Sequence, residues 1–339
     1  MILSAQAVRE AAHACQFPLV GMTPAVPLDP QPLREWIERG YAAEQASMYT
    51  RSEERLDPRV IVPDAKTVLV LGIPYGPGES RSIQPNTVAR YARGRDYHYA
   101  HRDRMRALRH RLLALAPGIH TYACVDSGAA MEKAWAERAG LGFIGKNGLV
   151  INRQYGSWFT LSLMILKHAV DVYDQPHPRL CGTCDKCLRA CPTQAFSTPG
   201  VVDSRRCLAY HTVENHKMLP TEVRDQLHGR VFGCDICQEA CPFNRGEFPP
   251  ADPRQAPRPF GHMTAAQIAA LSEAEYNALA VGTPMRRIGY HGLRRNACLA
   301  MNRHQVQKSH ELLNRLRDDA NPQVAEAAAW VLRKIRGGE

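Results

Sequence analysis

The chain has 339 residues, which is enough for two or three domains with a substantial apolar core. No apolar run approaches the ~18–20 residues of a membrane span, and the first residues, Met1–Glu10, lack the apolar core of a signal peptide, so we expect a soluble, cytoplasmic protein. The 43 lysines and arginines exceed the 33 aspartates and glutamates, and the resulting formal net charge of +10 favours a polyanionic partner.

Residues 1 to about 60 are predicted to be mainly helical and polar, with four prolines between residues 24 and 32 ahead of a helix near Leu33–Met48. The stretch Thr67–Ile73 is almost entirely apolar and predicts a buried strand, which ends at turn residues including Gly76–Gly78. No G-x-G-x-x-G follows this strand, so we exclude a dinucleotide-binding fingerprint.

Residues 60–170 alternate predicted strands with helices, which is typical of an α/β layer domain. Strand Ile119–Val125 leads into Asp126 and a helix from about Ala129 to Ala139, and Trp158–Leu166 is a further apolar strand. Asp126 lies where a strand passes into a helix, so the residues alone leave open whether it caps the helix or acts in catalysis. The helix ahead of Ile119 is predicted from apolar residues at helical spacing, namely Met105, Leu108, Leu112 and Leu115.

A tight, glycine-rich loop follows at Gly140–Gly148 and carries Lys146. Glycines allow the backbone to approach a ligand closely, and the lysine could contact a phosphate or carboxamide group. A plain turn with a solvated lysine explains the same residues, and both interpretations stay open.

Eight of the eleven cysteines lie between residues 181 and 241 in a cluster-binding pattern. The first run is C-x2-C-x2-C-x3-C-P, and the second run lacks its first cysteine, which Cys207 can supply. In the bacterial two-cluster ferredoxin pattern, the fourth cysteine of each motif ligates the other cluster. We therefore predict one 4Fe–4S cluster on Cys181, Cys184, Cys187 and Cys241, and a second on Cys191, Cys207, Cys234 and Cys237.

Zinc and disulfides are weaker explanations of this pattern. Zinc would require sets of four ligands closed within themselves, and disulfides would require a secreted chain. The remaining cysteines, Cys15, Cys124 and Cys298, are predicted to be small buried apolar residues.

After the cysteines, the sequence predicts a proline-rich linker, Pro242–Pro259, followed by helices only. Leu293–Ala300 and Val324–Leu332 look like two copies of one helix, 31 residues apart, as in HEAT repeats. A helical cap over the apolar face of the cysteine domain is the alternative. Positive charge is concentrated in Arg81–Arg111 and Val281–Glu339, which favours nucleic acid, although a solvated basic surface would give the same counts.

The sequence resembles the epoxyqueuosine reductases, which are cobalamin-dependent iron–sulfur enzymes of tRNA modification. The resemblance covers nearly the whole chain and rests on the eight-cysteine framework together with Arg90–His98, Val125–Gly128, Ala136–Asn147, Arg205–Glu214 and Pro242–Asn244.

The resemblance implies an α+β multidomain protein: an α/β cobalamin-binding domain (1–172), a ferredoxin-like two-cluster domain (173–250) and a helical HEAT-like tRNA-binding domain (260–339). It implies reduction of epoxyqueuosine to queuosine at the wobble position of tRNA, with Asp126 as proton donor. We also expect an electron donor as a partner, no association with a membrane, and a monomeric protein. By motif position, the expected cobalamin contacts are Arg55, Tyr91, Asp126, Lys146 and Ser157.

Two departures from the family pattern stand out. Ser162-Leu163 replaces the usual Gly-Glu, and Asp96–His101 is not the D-x-H-x-x-G signature, so we expect no histidine ligand to cobalt from that motif.

Two alternative functions remain, an iron–sulfur electron-transfer protein and a dehalogenase-like cobalamin reductase of a small molecule. We expect neutralising Arg294, Arg295 and Arg333 together to weaken tRNA binding, which neither alternative predicts.

Overall fold

The structure, a computed structural model, describes residues 2–75, 87–246, 256 and 258–336. The predicted turn at Gly76–Gly78, and residues 247–255 and 257 of the predicted linker, lie outside this part. Its strands are β1 Ile2–Leu3, β2 Leu19–Pro24, β3 Thr67–Pro74, β4 Thr121–Cys124, β5 Phe143–Ile144, β6 Val150–Ile151, β7 Phe159–Leu166, β8 Ala169–Val170, β9 Phe196–Thr198 and β10 Val201–Val202.

The helices fall into two groups along the chain. Those before the last cysteine are α1 Ala5–Ala14, α2 Gln31–Glu38, α3 Ala46–Thr50, α4 Ser52–Leu56, α5 Pro58–Ile61, α6 Tyr97–Leu115, α7 Glu132–Arg138, α8 Lys186–Ala190, α9 Leu208–Val213, α10 Thr221–Arg224 and α11 Ile236–Glu239. Those after it are α12 Ala265–Ala270, α13 Glu273–Ala280, α14 Gly289–Ala300, α15 Arg303–Lys308, α16 His310–Leu316 and α17 Pro322–Arg336. Short 3₁₀ segments occur at Arg90–Ala92, Pro242–Asn244, Pro259–His262 and Pro284–Arg287.

A four-stranded sheet in the order β2-β3-β7-β4 organises the N-terminal half. All three neighbouring pairs are antiparallel, and the central pair runs from Thr67 opposite Leu166 to Pro74 opposite Phe159. The strands and helices alternate and form layers as predicted, but the sheet is antiparallel, whereas the sheet of an α/β domain is mostly parallel. The chain as a whole is α+β.

Helices cover both faces of this sheet. Leu69 and Leu71 of β3 pack with α1 and α6 on one face, while Val68 and Val70 pack with Trp135 of α7 on the other. Successive residues of a strand point to opposite faces, so a strand covered on both sides must be apolar at every position. This burial explains the continuous apolar run from which β3 was predicted.

The first 60 residues differ most from the prediction. Strand β2 lies in this region, at the edge of the sheet. It was not predicted, because only its pairing with β3 makes this segment a strand. The predicted helix Leu33–Met48 stops at Glu38, because Gly40 takes a left-handed conformation with φ of 70°. The helix predicted from Ala129 begins only at Glu132.

The C-terminal helices share one apolar core with the cysteine segment. Leu293 and Val331, from the predicted pair of similar helices, belong to the same buried cluster as Leu208, Val231 and Phe232. Helices α14 and α17 pack against each other. This arrangement matches the helical-cap alternative, whereas repeat identity stays a prediction. In the described part of the chain, no helix is both long enough and apolar enough to cross a membrane.

Candidate functional site

The structure brings three cysteines of the first run and the last cysteine of the second run together around one cavity. We call Cys181, Cys184, Cys187 and Cys241 the first cysteine set; they line this cavity with Lys146 and Phe243 among others. The Lys146 amide donates to Cys181 Sγ at 3.4 Å, and its ammonium donates to the Gly182 carbonyl at 2.7 Å. Amide donors to sulfur are one way in which proteins tune a cluster. Lys146 therefore lies at this set.

The other four cysteines also come together. Cys237 lies within electrostatic reach of Cys234, Cys207 and Cys191, which with it form the second cysteine set. Burial raises the pKa of the Cys234 thiol to about 12. All eight cysteines are free of disulfides, and among the described residues no three or more His, Cys, Asp or Glu side chains lie close enough to hold a single metal ion. The cavity gathers the four thiols of the first set, and the assignment of each set to one cluster stays a prediction.

Asp126 stands directly after β4 and Val125, in a turn that the backbone makes by an unusual conformation. Its φ is 50°, in the left-handed region, and its side chain is 57% exposed. A Cβ on Gly128 would lie 2.4 Å from Cys124 Cβ, so only glycine allows the turn to fold back on the strand. Helix α7 is capped by Met131 rather than Asp126. The helix-cap interpretation of Asp126 is therefore wrong.

The first turn of α6 presents aromatic side chains to Asp126. Asp96 caps this helix by accepting from the His98 amide at 2.9 Å. The hydroxyl of Tyr97 then donates to Asp126 Oδ2 at 2.8 Å, and His98 Nε2 lies 3.9 Å from the same oxygen. Burial, followed by the charge of Asp126, raises the pKa of Tyr97 well above its usual range. Tyr97 consequently stays a neutral hydrogen-bond donor.

Lys133, Arg287 and Tyr91 also lie near Asp126. Lys133 of α7 donates to the Gly148 carbonyl at 2.9 Å, and its charge interacts with Asp126 and with Cys207 and Cys237 of the second cysteine set. Lys133 is exposed to solvent, yet desolvation of its ammonium by the surrounding protein lowers the pKa of that group. The negative charge of Glu132 raises the pKa and so opposes this effect. Lys133 therefore lies within electrostatic reach of both the Asp126 carboxyl and the second cysteine set.

Arg287, from the C-terminal half of the chain, also lies near Asp126. It donates to Glu214 at 2.7 Å, and its charge interacts with Asp126 and Tyr97. Tyr91, packed at 6.0 Å from Tyr97 between ring centroids, completes the group. We call Tyr91, Tyr97, Asp126, Lys133 and Arg287 the Asp126 site.

The cofactor contacts expected from the family motifs do not converge in one place. Tyr91 and Asp126 lie in the Asp126 site. Arg55 is only 8% exposed and donates to the carbonyls of Ser47 and Ala130, which places it beneath the Asp126 turn. Ser157 is buried and hydrogen-bonded to Gln238 and Asn244. Lys146 lies at the first cysteine set.

Tyr97, Lys133 and Arg287 were not predicted as site residues from the sequence. Tyr97 stands inside the motif Arg90–His98 on which the resemblance rests, so a signal for it existed. Lys133 belongs to a helix whose start was predicted three residues too early. Nothing in the sequence connects Arg287 to Asp126, because only the packing of the C-terminal helices brings it there.

Two of the arginines expected to bind nucleic acid are structural. Arg295 is fully buried and donates to the carbonyls of Asn215 and Lys217, and Arg294 pairs with Asp319 at 2.9 Å. Buried guanidinium groups that are already paired cannot contact a phosphate, so the expectation is wrong for both. Arg333 is exposed.

Ser162, which with Leu163 departs from the family pattern, forms a hydrogen bond inside the protein. Ser162 Oγ lies 2.7 Å from His101 Nδ1, and Thr160 Oγ1 lies 2.8 Å from His101 Nε2. Burial lowers the pKa of His101 to about 3, so the ring is neutral. Both ring nitrogens are occupied by hydroxyl groups inside the protein.

Comparison with known proteins identifies the family. The family model "Epoxyqueuosine reductase QueG, DUF1730" matches residues 55–127, and "4Fe-4S double cluster binding domain" matches residues 180–244. The epoxyqueuosine reductase of Gloeobacter violaceus is 38% identical over 89% of this chain and 97% of its own. That of Synechocystis is 42% identical over 79% of this chain and 93% of its own.

Solved structures give the same result. An epoxyqueuosine reductase with an epoxyqueuosine-modified tRNA-Tyr stem loop is 28% identical, with a TM-score of 0.91 over 97% of this chain and 89% of that one. The Bacillus subtilis epoxyqueuosine reductase, with the catalytic loop of an aspartate swung out of its active site, is 27% identical, with a TM-score of 0.87 over 97% and 90%. This chain therefore belongs to the epoxyqueuosine reductase family of enzymes.

Proposed function

We propose that this protein reduces epoxyqueuosine to queuosine at the wobble position of tRNA, with Asp126 as the proton donor. One observation carries the proposal: in a member of this family, Tyr97 hydrogen-bonds Asp126 and packs on Tyr91, which packs on Phe232, two residues before Cys234 of the second cysteine set. A group that supplies a proton and a group that can supply electrons are therefore close together, as reductive opening of an epoxide requires.

The net reaction converts the epoxide into a carbon–carbon double bond and water. Both C–O bonds break, and two electrons and two protons are consumed. An epoxide opens more easily when its oxygen is protonated as the first bond breaks, so a positioned acid accelerates the step. Asp126 is suited to this role because more than half of its side chain is open to solvent and hence to a substrate.

Tyr97 orients the acid. Its hydroxyl donates to Asp126 Oδ2, so a proton carried by Asp126 is placed on Oδ1, the oxygen left free to face the epoxide. The raised pKa of Tyr97 keeps this donor in place at neutral and alkaline pH. Geometry of this kind lowers a barrier by holding the reacting atoms in line before the reaction begins.

We propose that the two cysteine sets each hold one 4Fe–4S cluster. The match to a double-cluster domain and the eight free thiols support this assignment. The second set would stand nearer the reaction, because Tyr91 packs both on Tyr97 beside Asp126 and on Phe232 near Cys234, and the first set would receive electrons from outside.

Cobalamin is the cofactor that the family resemblance implies, and it would supply a strongly reducing centre when bound. Its ring has flat apolar faces edged by amide side chains, and the Asp126 site offers chemically matching groups. Tyr91 and Tyr97 present aromatic rings, while Lys133 and Arg287 present cationic donors. We propose that these residues line its site and that Arg55 and Ser157, already bonded within the protein, only support the surrounding backbone.

The tRNA would approach over an exposed aromatic and basic patch beside the site. Tyr99 lies two residues after Tyr97, is exposed, and has Arg95 and Arg102 each 5.0 Å from its ring centroid. Arginines stacked on an aromatic ring present their N–H groups to phosphates. The complex of a relative with a modified tRNA stem loop supports tRNA as the partner.

The test is conversion by the purified protein. Anaerobically reconstituted protein, loaded with clusters and cobalamin and reduced chemically, is incubated with tRNA carrying epoxyqueuosine, and nucleosides are measured by mass spectrometry. We expect queuosine with wild type and almost none with Asp126→Asn at equal iron content. No queuosine from wild type carrying about eight irons would refute the proposal. An electron-transfer protein would in addition bind no cobalamin, whereas a small-molecule reductase would bind it.

A further inference from the structure

A buried polar pair on α14 joins two earlier segments of the chain. Arg295 and Asn296 are both fully buried, and Asn296 Oδ1 accepts from the Arg295 guanidinium at 2.8 Å. Asn296 Nδ2 in turn donates to the carbonyls of Thr212 and Val231, at 3.0 Å in each case. Buried carbonyls require a hydrogen-bond partner, and this amide supplies one to both. One side chain of the C-terminal helices therefore holds two segments that are distant in the sequence.

Each of these segments leads to a cysteine of the second cysteine set. Cys207 is the N-cap of α9, and Thr212 lies in that helix. Val231 lies shortly before Cys234 in the other segment. The amide of Gly233 also donates to Thr212 Oγ1 at 3.0 Å, in a buried hydrogen bond. The helix that begins after Cys207 is thus fastened to the residue directly before Cys234.

Cys207 depends on such contacts because local spacing does not fix its position. Within each run, the cysteines are two or three residues apart, which constrains how their thiols surround a cluster. Cys207 lies outside both runs, so only tertiary contacts can place its thiol. Arg295 adds to these contacts at the end of α9, where it donates to the carbonyls of His211 at 3.4 Å and Asn215 at 2.9 Å.

We infer that Thr212, Arg295 and Asn296 are positioning residues that hold Cys207 beside Cys234, so that the C-terminal helices complete the second cysteine set. The inference rests on the proposed function, since it takes this set as the ligands of one 4Fe–4S cluster. Buried side chains that only stabilised α14 would change the melting temperature of the protein and would not act on the second set in particular. The two roles therefore differ in which irons are lost.

Asn296→Asp removes the two donated hydrogen bonds without changing the size of the side chain. A carboxylate still accepts from Arg295, but it cannot donate to the carbonyls of Thr212 and Val231. We expect the iron content of the reconstituted full-length protein to fall from about eight to about four per chain.

Arg294→Gln is the matched control for this measurement. Arg294 lies on the same helix and is also buried, but it pairs with Asp319 at 2.9 Å and donates to the Ala269 carbonyl at 3.2 Å, both after the last cysteine. We expect about eight irons per chain in this variant, even where its melting temperature falls. Equal iron content in Asn296→Asp and in the control would overturn the inference.

Thr212→Val and Thr212→Ser test the same contact with a smaller change. Valine has the shape of threonine but no hydroxyl to accept from Gly233, whereas serine keeps the hydroxyl. We expect a chelator to remove about four of about eight irons roughly fivefold faster from Thr212→Val than from wild type, and Thr212→Ser to stay within about twofold. Equal rates in the three proteins, or an equal acceleration for all the irons, would overturn the inference.

Hydrogen exchange in the same full-length proteins gives a readout besides iron. We expect the peptide that contains Gly233 to exchange about fivefold faster in Thr212→Val, and near the wild-type rate in Thr212→Ser. Unchanged exchange in Thr212→Val would overturn the inference. If wild type itself reconstitutes with only about four irons, the proposed cluster assignment fails, and the exchange rates still decide whether Thr212 holds Gly233.

Discussion

Replacing Tyr97 by phenylalanine removes one hydrogen bond from Asp126 and leaves the aromatic packing in place. The hydroxyl donates to Asp126 Oδ2 at 2.8 Å, while the ring stacks on His98 at 4.4 Å between centroids and contacts Tyr91. Phenylalanine keeps both ring contacts. The substitution therefore isolates the effect of orienting the carboxyl.

The size of the effect follows from the environment of the bond. A hydrogen bond to a charged group contributes about 1.5–3 kcal/mol. Water can replace part of it here because the Asp126 side chain is 57% exposed, so we expect about 1–1.5 kcal/mol. A change of about 1.4 kcal/mol in the barrier is tenfold in rate, which gives a reduction of about 5–10-fold.

Single-turnover reduction of epoxyqueuosine in saturating tRNA measures this effect, with iron content and tRNA affinity as checks. Tyr155→Phe is the matched control, since Tyr155 is a buried tyrosine outside both the Asp126 site and the tRNA patch, and its hydroxyl has no hydrogen bond among the described residues. We expect the control to react at the wild-type rate. Wild-type activity in Tyr97→Phe, or equal losses in both variants, would show that the Tyr97 hydroxyl does not orient Asp126 for the reaction.

Three other substitutions test the cluster ligands, the buried histidine and the tRNA patch. Cys207→Ala should lower the iron content of reconstituted protein from about eight to about four per chain, and Cys298→Ala, a buried cysteine outside both sets, should leave it unchanged. His101 has a pKa of about 3 when folded against 6.5 when unfolded, so the unfolded chain binds more protons and stability falls as pH drops from about 6.5 to 3; His101→Gln should flatten that fall in thermal melts. Arg102→Ala should weaken tRNA binding and reduce the salt slope by about one, whereas Arg317→Ala, an exposed arginine after α16, should do neither; equal effects would contradict the proposed patch.

The cysteine spacing and β3 were accessible from the sequence because each is a local pattern. The cysteines of each run are separated by two or three residues, so the spacing alone constrains how they can surround a cluster. Thr67–Ile73 is almost entirely apolar because both faces of the strand are covered. In both cases the constraint acts on neighbouring residues, and the prediction needed no knowledge of the rest of the fold.

What the sequence did not reveal depends on contacts between distant segments. Strand β2 contains glycine, threonine and proline, and only its pairing with β3 makes it a strand. Arg295 has the composition of a surface residue, yet it is buried against carbonyls about 80 residues away. The position of Arg287 near Asp126 likewise follows from the packing of the C-terminal helices. A charge count along the chain cannot separate such structural arginines from those that bind RNA.

We propose that this protein makes queuosine in tRNA with Asp126 as the proton donor. The experiment to make is nucleoside mass spectrometry on tRNA from a strain that lacks this gene and any second epoxyqueuosine reductase. We predict that epoxyqueuosine accumulates, that the wild-type gene restores queuosine, and that Asp126→Asn does not. Unchanged queuosine in the deletion strain would contradict the function, and restoration by Asp126→Asn would contradict the role of Asp126.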